Sequence, residues 1–348
     1  LEDSLKLIQD HHQEEVDLAH LPPDDPKVYS VLQKADTIGM FQIESRAQMS
    51  CLPRLQPKCF YDIVVQVAII RPGPIVGQMV NPYLQRRMGR EPVNHLHPSL
   101  EPVLGRTLGV PLFQEQLLRI AMVAANFTGG EAEELRRAMG FKRSQARMRD
   151  IEAKLRSGME HNGIAREAQE QIILSITSFA LYGFPESHAA SFALIAYASA
   201  YLKCHYLAAF TAAMLNNQPM GFYRPATIVK DAQRHGLKVL PIDVTKSDWQ
   251  CTLECVERTP TPAFSEVNQI ADGGLAMRLG LRYARGLRED AAQALVRQRN
   301  LAPFISIRDL VHRVPELRKD ELNTLAEIGA LNEINSEDLA NSGMHAAD

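Results

Sequence analysis

The 348-residue chain has one tryptophan and five cysteines, and no two cysteines form a CxxC pair. An odd count without paired spacing argues against a disulfide frame and for free thiols in a reducing compartment, so a cytoplasmic location is expected. Long apolar runs are missing too. Ser187 to Leu202 is sixteen residues without formal charge apart from His188, short of the about 20 that a membrane span needs. Its Ser, His and Tyr point to a buried helix, and no membrane partner is expected. Metal signatures are weak: His95 and His97 flank Leu96, His11 and His12 precede Glu14 and Glu15, and neither group has a second ligand pair at zinc spacing. No GxSxG, P-loop, GxGxxG or DxD pair stands out, a conspicuous lack for a catalyst. No signal peptide is visible, because residues 1–17 are polar and acidic. The chain starts at Leu1 rather than Met, and is expected to be cut from something longer.

What is present is an ordinary globular composition, 45% hydrophobic and 23% charged, long enough for two or three domains of ~150 residues. The formal charge of -3 conceals an asymmetry. Residues 1–39 carry nine Asp or Glu against three Lys, whereas residues 40–150 carry thirteen Arg and two Lys against nine acids. Arginine makes planar, bidentate contacts to phosphate that lysine cannot. A near-neutral total therefore leaves a polyanionic partner open, and a solvated surface is the alternative.

Along the chain, Leu21–Lys27 reads as a loop that starts a short helix at Asp25 or Pro26. Ile38–Met49 is a turn running into a helix, Leu52–Pro57 a loop, and Tyr61–Ile70 an apolar helix broken by the prolines of RPGPI (Arg71 to Ile75). Phe113–Ala125 has helical spacing at Leu117, Ile120, Ala121 and Ala124. Thr128 and Glu131 form a capping box for a helix that ends near Met139, with Gly140 as its stop. Ala168–Leu181 is a further helix. Ser187 is read as the N-cap of the helix to Leu202, with Phe192, Ile195 and Leu202 on one face. Leu237–Val244 and Leu275–Leu281 alternate like strands, with a loop over Glu257–Asp272 between them. Helical hairpins follow over Arg285–Arg299 and Ile307–Leu331. Asn332–Asp348 lacks periodicity and is expected to be disordered or truncated.

Three places could carry chemistry. Arg136 and Arg137 fall in the last turn of the capped helix, and Gly140 lets the chain bring Lys142 and Arg143 back beside them. Four cations so placed suit a triphosphate; equally, the helix C-terminus favours cations for structural reasons alone. In YGFPESHAASFA, from Tyr182, Ser187 and His188 stand at a helix mouth whose N–H groups suit an anion or a sugar hydroxyl, with small residues that let a ligand approach. The alternative is a capped core helix with a satisfied histidine. In YARGLRED, from Tyr283, the turn Arg285-Gly286-Leu287 and the following Arg288 could hold a DNA phosphate without reading sequence. Cys251 and Cys255 lack partners for a metal.

GMFQIESRAQM, RPGPI, FQEQ (Phe113 to Gln116), LRRAMG (Leu135 to Gly140) and YGFPESHAASFA occur in one order. Together they resemble the fingers region of bacterial C-family DNA polymerases, the family of the DNA polymerase III alpha subunit, over about Asp24 to Leu331. Replicative members tend to have Asn-Lys where this chain has Pro185-Glu186, and Lys-rich sequence where it has Phe141-Lys142-Arg143. GFPESHAASFA and AMGFKRS resemble instead the error-prone, damage-inducible ImuC-type branch, associated with translesion synthesis.

The resemblance implies a mainly α fold: a connector from the palm (1–37), a helical fingers domain (38–236), a small mixed α/β linker (237–282), a helix-hairpin-helix module (283–331) and a tail (332–348). It implies that Arg136, Arg137, Lys142 and Arg143 meet the triphosphate of an incoming deoxynucleoside triphosphate, that Ser187 and His188 lie beside its sugar and base, and that Arg71 helps shape the cleft. The hairpins, through Arg285, Gly286, Leu287 and Arg288, would grip primer-template duplex. The three palm aspartates that bind Mg2+ in the family are expected ahead of Leu1, so this segment alone is expected to be inactive. Sliding clamp and mutasome or replisome proteins are the further implied partners, although no glutamine-plus-aromatic clamp peptide follows Leu331. The rival readings are a replicative alpha subunit and a non-catalytic helix-hairpin-helix protein, which would have no nucleotide affinity.

Overall fold

The computed structural model describes residues 1–70, 76–140, 145–179, 184–256 and 274–335. Arg71, Lys142, Arg143 and the expected loop 257–272 lie outside them. Helices dominate: α1 (Glu2–His12), α2 (Pro26–Gln33), α3 (Arg46–Leu55), α4 (Phe60–Ile69), α5 (Val76–Arg87), α6 (Glu101–Leu104), α7 (Gln114–Ala125), α8 (Gly129–Gly140), α9 (Gln145–His161), α10 (Arg166–Phe179), α11 (Glu186–His205), α12 (Leu207–Asn216), α13 (Pro225–Arg234), α14 (Glu289–Leu301), α15 (Ile307–Arg313) and α16 (Lys319–Glu327). The chain divides into two compact units, one of residues 22–200 and one of residues 1–21 with 201–348.

In the unit of residues 22–200, helix starts are set by side chains that accept the first-turn N–H groups no helix can pair internally. Asp25 accepts from the N–H of Lys27 and Val28 at 2.8 and 3.2 Å. Asp62, in the first turn of α4, accepts from the N–H of Lys58 and Cys59 at 2.8 and 3.3 Å and from Arg87 Nη2 at 2.7 Å. The capping box closes as its spacing predicts, with Thr128 N–H on Glu131 Oε2 at 2.7 Å and Glu131 N–H on Thr128 Oγ1 at 3.4 Å. One expected loop is helical instead: α3 continues to Leu55 with Pro53 in its last turns. Leu52 and Leu55 are both buried there, and that packing outweighs the low helix propensity of proline.

The apolar centre of this unit is built around α7. Its Leu117, Ile120, Ala121 and Ala124 share one buried cluster with Leu135 of α8, Leu155 of α9 and Ile176 of α10. Helix α9 passes so close that a Cβ on Gly158 would lie 2.2 Å from the Ala125 carbonyl oxygen, so only glycine fits there.

The other unit holds the sheet. Strands β1 (Lys238–Leu240), β2 (Thr252–Cys255) and β3 (Leu275–Arg278) lie in the order β1-β3-β2, with β3 parallel to β1 and antiparallel to β2. The alternation pattern locates β1 and β3 and misses β2. In the same unit Lys203, 2% exposed, pairs with Asp231 of α13 at 2.8 Å.

The C-terminal hairpins repeat one design. Leu287 N–H closes a turn on the Ala284 carbonyl at 3.2 Å, and Leu317 N–H closes its counterpart on Val314 at 3.1 Å. Each turn leads through an arginine, Arg288 or Arg318, into the next helix. In the first turn Gly286 has φ +84°, a left-handed conformation that glycine adopts at no steric cost. Glu321 of α16 joins the two. Its Oε1 accepts Arg288 N–H at 2.9 Å, and its Oε2 accepts Arg318 N–H at 2.8 Å. The Arg288 guanidinium adds contacts at 3.0 and 3.1 Å. One carboxylate, 2% exposed, thus caps both α14 and α16. The expected structureless tail begins later than Asn332: Asn332–Asn335 is a 3-10 turn because Ile334 is buried in the module's apolar cluster.

Burial opposes ionisation of Glu321, but the hydrogen bonds from Arg288 and from the N–H of Arg318 and Arg288 outweigh it and hold the carboxyl below its usual range. A folded pKa below the unfolded value stabilises fully above the unfolded value, about 4.3, and the contribution fades as pH falls through the folded one. Glu321→Ala leaves two partly buried N–H groups and a guanidinium without their acceptor, and is expected to cost about 1–3 kcal/mol at pH 7. Urea unfolding at pH 7 and pH 3 checks this: the gap between variant and parent should be wide at pH 7 and narrow at pH 3, and equal midpoints at pH 7 would refute it.

Candidate functional site

Helix α11 carries Ser187 and His188, and its start differs from the reading of the sequence. It begins at Glu186, so Ser187 is not the N-cap; it lies exposed within the first turn. The residue before the helix is Pro185, whose side chain offers no acceptor. The cap comes from α7: Glu115 Oε2 accepts Glu186 N–H at 2.9 Å. Beside it, Gln114 N–H donates to the Phe184 carbonyl at 3.1 Å. FQEQ and the motif that begins at Tyr182 are therefore two halves of one joint. Within FQEQ, Gln116 Oε1 accepts the N–H of Leu112 and Phe113 at 2.8 and 3.0 Å, and its Nε2 donates to the Thr107 hydroxyl at 2.8 Å. No local spacing signals the Glu115 cap, which spans 71 residues.

A second contact reaches the same turn from α4. The Tyr61 phenol lies near enough to the Glu186 carboxylate to feel its charge. Burial first, and then the negative charge of Glu186, pushes the Tyr61 phenol far above its ordinary pKa, so it remains a donor. The Arg106 guanidinium lies 3.7 Å from the centre of the Tyr61 ring, a cation–π stack that fixes the ring's plane.

His188 stands exposed in a ladder of rings. Its imidazole is 5.1 Å from the Phe184 ring and 4.2 Å from Phe192, and Phe192 meets Phe41 edge-on at 5.4 Å. Phe41 belongs to GMFQIESRAQM, and its N–H donates to Ser199 Oγ at 3.0 Å. Further along α11, the Tyr197 hydroxyl accepts Asp25 N–H at 2.9 Å and donates to the Pro22 carbonyl at 2.6 Å. The buried stripe of α11 is Ala189, Ala193, Ala196 and Ala200, all 0% exposed, whereas Leu194 is 60% and Ile195 38% exposed. This corrects the expected face of Phe192, Ile195 and Leu202 at Ile195, whereas Leu202 is buried. In a helix apolar on nearly every side, periodicity says little, and small residues win the buried side because they let neighbours come close.

Arg136 and Arg137 are both exposed and both meet Glu133. Arg136 binds it in bidentate fashion, Nε at 2.8 Å and Nη2 at 2.7 Å, and Arg137 Nε reaches it at 3.2 Å. The Arg136 hydrogen bond is the main reason the Glu133 carboxyl is held down at about 2. Such an ion pair in water is weakly held. Helix α8 packs on α7, so α7 is the element common to the arginine pair and to the start of α11. In the C-terminal module Arg285 and Gly286 are exposed and Leu287 is buried. Arg288 is engaged by Glu321, by Asp290 Oδ2 at 2.8 Å and by the Glu316 carbonyl at 2.6 Å.

Around α8 and the start of α11 the carboxylates of Glu115 and Glu133 already accept from N–H and guanidinium groups. The exposed Arg136, Arg137, Ser187 and His188 side chains are suited to an anion and not to a hard divalent cation. Among the described residues no helix is long and apolar enough to cross a membrane.

Residues 1–163 match the bacterial DNA polymerase III alpha subunit finger domain, and residues 236–339 match a helix-hairpin-helix motif. An error-prone DNA polymerase of Methylococcus capsulatus is 54% identical over 318 residues, 90% of this chain and 30% of that protein. One from Pseudomonas fluorescens is 52% identical over 326 residues, 93% and 31%. Error-prone DNA polymerase 2 of Rhizobium meliloti is 51% identical over 307 residues, 88% and 27%. The chain thus spans about three tenths of the length of these curated relatives. With its ordered motifs, its mainly helical fold and its paired hairpins, the chain is similar to the bacterial DNA polymerase III alpha subunit finger domain over residues 1–163 and, over most of its length, to error-prone DNA polymerases.

Proposed function

We propose that this chain positions the incoming nucleotide and grips duplex DNA for an error-prone polymerase engaged in template-directed synthesis and damage-induced translesion synthesis. The observation that carries the reading is the joint at α11, where residues from FQEQ, GMFQIESRAQM and YGFPESHAASFA surround an exposed, ring-flanked imidazole. In this reading residues 38–236 act as fingers, 237–282 as a linker and 283–331 as the duplex-binding module.

Arg136 and Arg137, with Lys142 and Arg143, receive the triphosphate of a deoxynucleoside triphosphate. Glu133 acts as a place-holder: it keeps the two guanidinium groups paired until phosphate oxygens replace it. The gain is largest as the pyrophosphate leaves, when charge on its oxygens grows. Ser187 and His188 lie beside the sugar and base, and Arg71 shapes the cleft. Mg2+ supplies the metal chemistry of the parent reaction; the residues of this site do not fit it, and its ligands belong to the parent's palm. Primer-template DNA, a sliding clamp and mutasome proteins are the proposed partners, in the cytoplasm.

Truncating either arginine tests the phosphate assignment. Consecutive residues project about 100° apart on a helix, so unequal effects are expected. In the full-length polymerase, the dominant one of Arg136→Ala and Arg137→Ala should lower kcat/KM for single-nucleotide incorporation by about 30- to 1,000-fold. Loss of thermal stability with wild-type nucleotide kinetics would leave only a role in balancing the helix dipole.

Duplex binding should be independent of sequence and steeply salt-dependent, because the contacts are to phosphate. Arg285→Ala should weaken binding of this chain to every duplex alike and reduce the slope of log K against log salt by about one. Arg288→Ala should instead lower the melting temperature, since its partners are Glu321 and Asp290. Titrations at several salt concentrations distinguish the two, and an Arg285 variant with an unchanged slope would remove the hairpin turn from the DNA interface.

A further inference from the structure

We infer that Glu115 is a positioning residue for nucleotide selection: by capping α11 it sets where His188 stands. The inference rests on the proposed placement of His188 beside the nucleotide. Its warrant is the lack of a local alternative. Pro185 has no side-chain acceptor to offer. The cap on Glu186 N–H is Glu115 Oε2 at 2.9 Å, and the Gln114 N–H to Phe184 carbonyl bond at 3.1 Å fixes the chain just ahead of it. His188 is two residues into the helix, and Phe184, its ring neighbour at 5.1 Å, lies on the other side of the joint. Anything that loosens the joint moves both rings of the ladder relative to each other.

The charge is well placed for this work. A carboxylate at a helix start is favoured by the helix dipole, and Glu115 stands at the starts of two helices, in the first turn of its own α7 and against the first N–H of α11. Tyr61 supports the arrangement from α4, its ring held by Arg106 at 3.7 Å. Because α7 also packs on α8, the element that places His188 is in contact with the helix that carries the arginine pair. A shift in α7 would therefore alter sugar recognition and triphosphate recognition together.

The test is single-nucleotide incorporation by the full-length polymerase with Glu115→Ala, Glu115→Gln, Tyr61→Phe, His188→Ala and the Glu115→Ala/His188→Ala double variant. Measured quantities are kcat and KM for the deoxynucleotide, discrimination against the ribonucleotide, duplex Kd and melting temperature. Glu115→Ala should raise KM by about 3- to 30-fold, the range expected for a lost helix cap. It should also shift ribonucleotide discrimination in the same direction as His188→Ala, with duplex Kd unchanged. Glu115→Gln should restore near-parental KM, because its amide oxygen still accepts Glu186 N–H. Tyr61→Phe should show a smaller shift of the same kind. The double variant should be no worse than His188→Ala, since residues acting through one another are not additive. If His188→Ala raises KM while Glu115→Ala and Tyr61→Phe do not, or if the double variant is fully additive, the positioning role falls and the His188 reading stands. If His188→Ala leaves kinetics untouched, both fall. A Glu115→Ala protein that loses duplex affinity, kcat and melting temperature together, without rescue by Glu115→Gln, also overturns the inference.

Discussion

The placement of α11 in the unit of residues 22–200 depends on a single hydrogen bond between a carboxylate of one helix and the first N–H of another. Helices cannot satisfy their own first N–H groups, and α11 follows a proline that cannot help. Glu115 solves this from 71 residues away. The solution has a consequence for the rest of α11. Once its start is fixed on α7, the alanine stripe at 189, 193, 196 and 200 can be buried closely. Ser199 then receives Phe41 N–H, and Tyr197 ties the helix to Asp25 and Pro22. The motif residues at 41, 115 and 188 are thus coupled by packing and not by sequence proximity.

The C-terminal module uses the same device with more symmetry. Glu321 offers one oxygen to Arg288 N–H and the other to Arg318 N–H. Two helix starts with different turns before them are held at a common carboxylate. In both units, then, a glutamate on one helix starts another, and these caps leave exposed residues beside them: Arg285 and Gly286 in one case, Ser187 and His188 in the other.

Local devices were legible in the sequence, and distant ones were not. Thr128 and Glu131 are three residues apart, and their capping box can be read from spacing alone. Asp25 before Pro26 marks the start of α2 for the same reason. The N-cap of α11 was misplaced by two residues because a serine is a common N-cap and nothing local to Ser187 reports a glutamate on α7. Likewise, nothing local to Arg288 reports its partner Glu321, 33 residues away. The order of the motifs carried information that spacing did not, since FQEQ and YGFPESHAASFA occur together because they touch. Strand β2 escaped notice because its pairing is with β3, more than twenty residues on.

The arginine excess of residues 40–150 shows how charge separates into structure and function. Arg87 is bound to the buried Asp62 and to the Leu55 carbonyl at 3.1 Å, Arg86 to the Leu108 carbonyl at 2.6 Å, and Arg106 lies on Tyr61. These guanidinium groups have partners that are half-buried or buried, and removing them would leave unpaired groups in the interior. Arg136 and Arg137 differ in kind. Their shared partner is a surface carboxylate on their own helix, three and four residues back, and water or another anion can replace it at little cost. Sitting near the C-terminal end of α8, they also face a dipole that repels phosphate, so any anion there must be held by the side chains themselves. Arginine suits that task, since its fork can exchange one bidentate carboxylate for one bidentate phosphate without changing shape. The composition alone could not tell these two populations apart; their partners do, and they leave the replaceable pair on the helix that α7 shares with the start of α11.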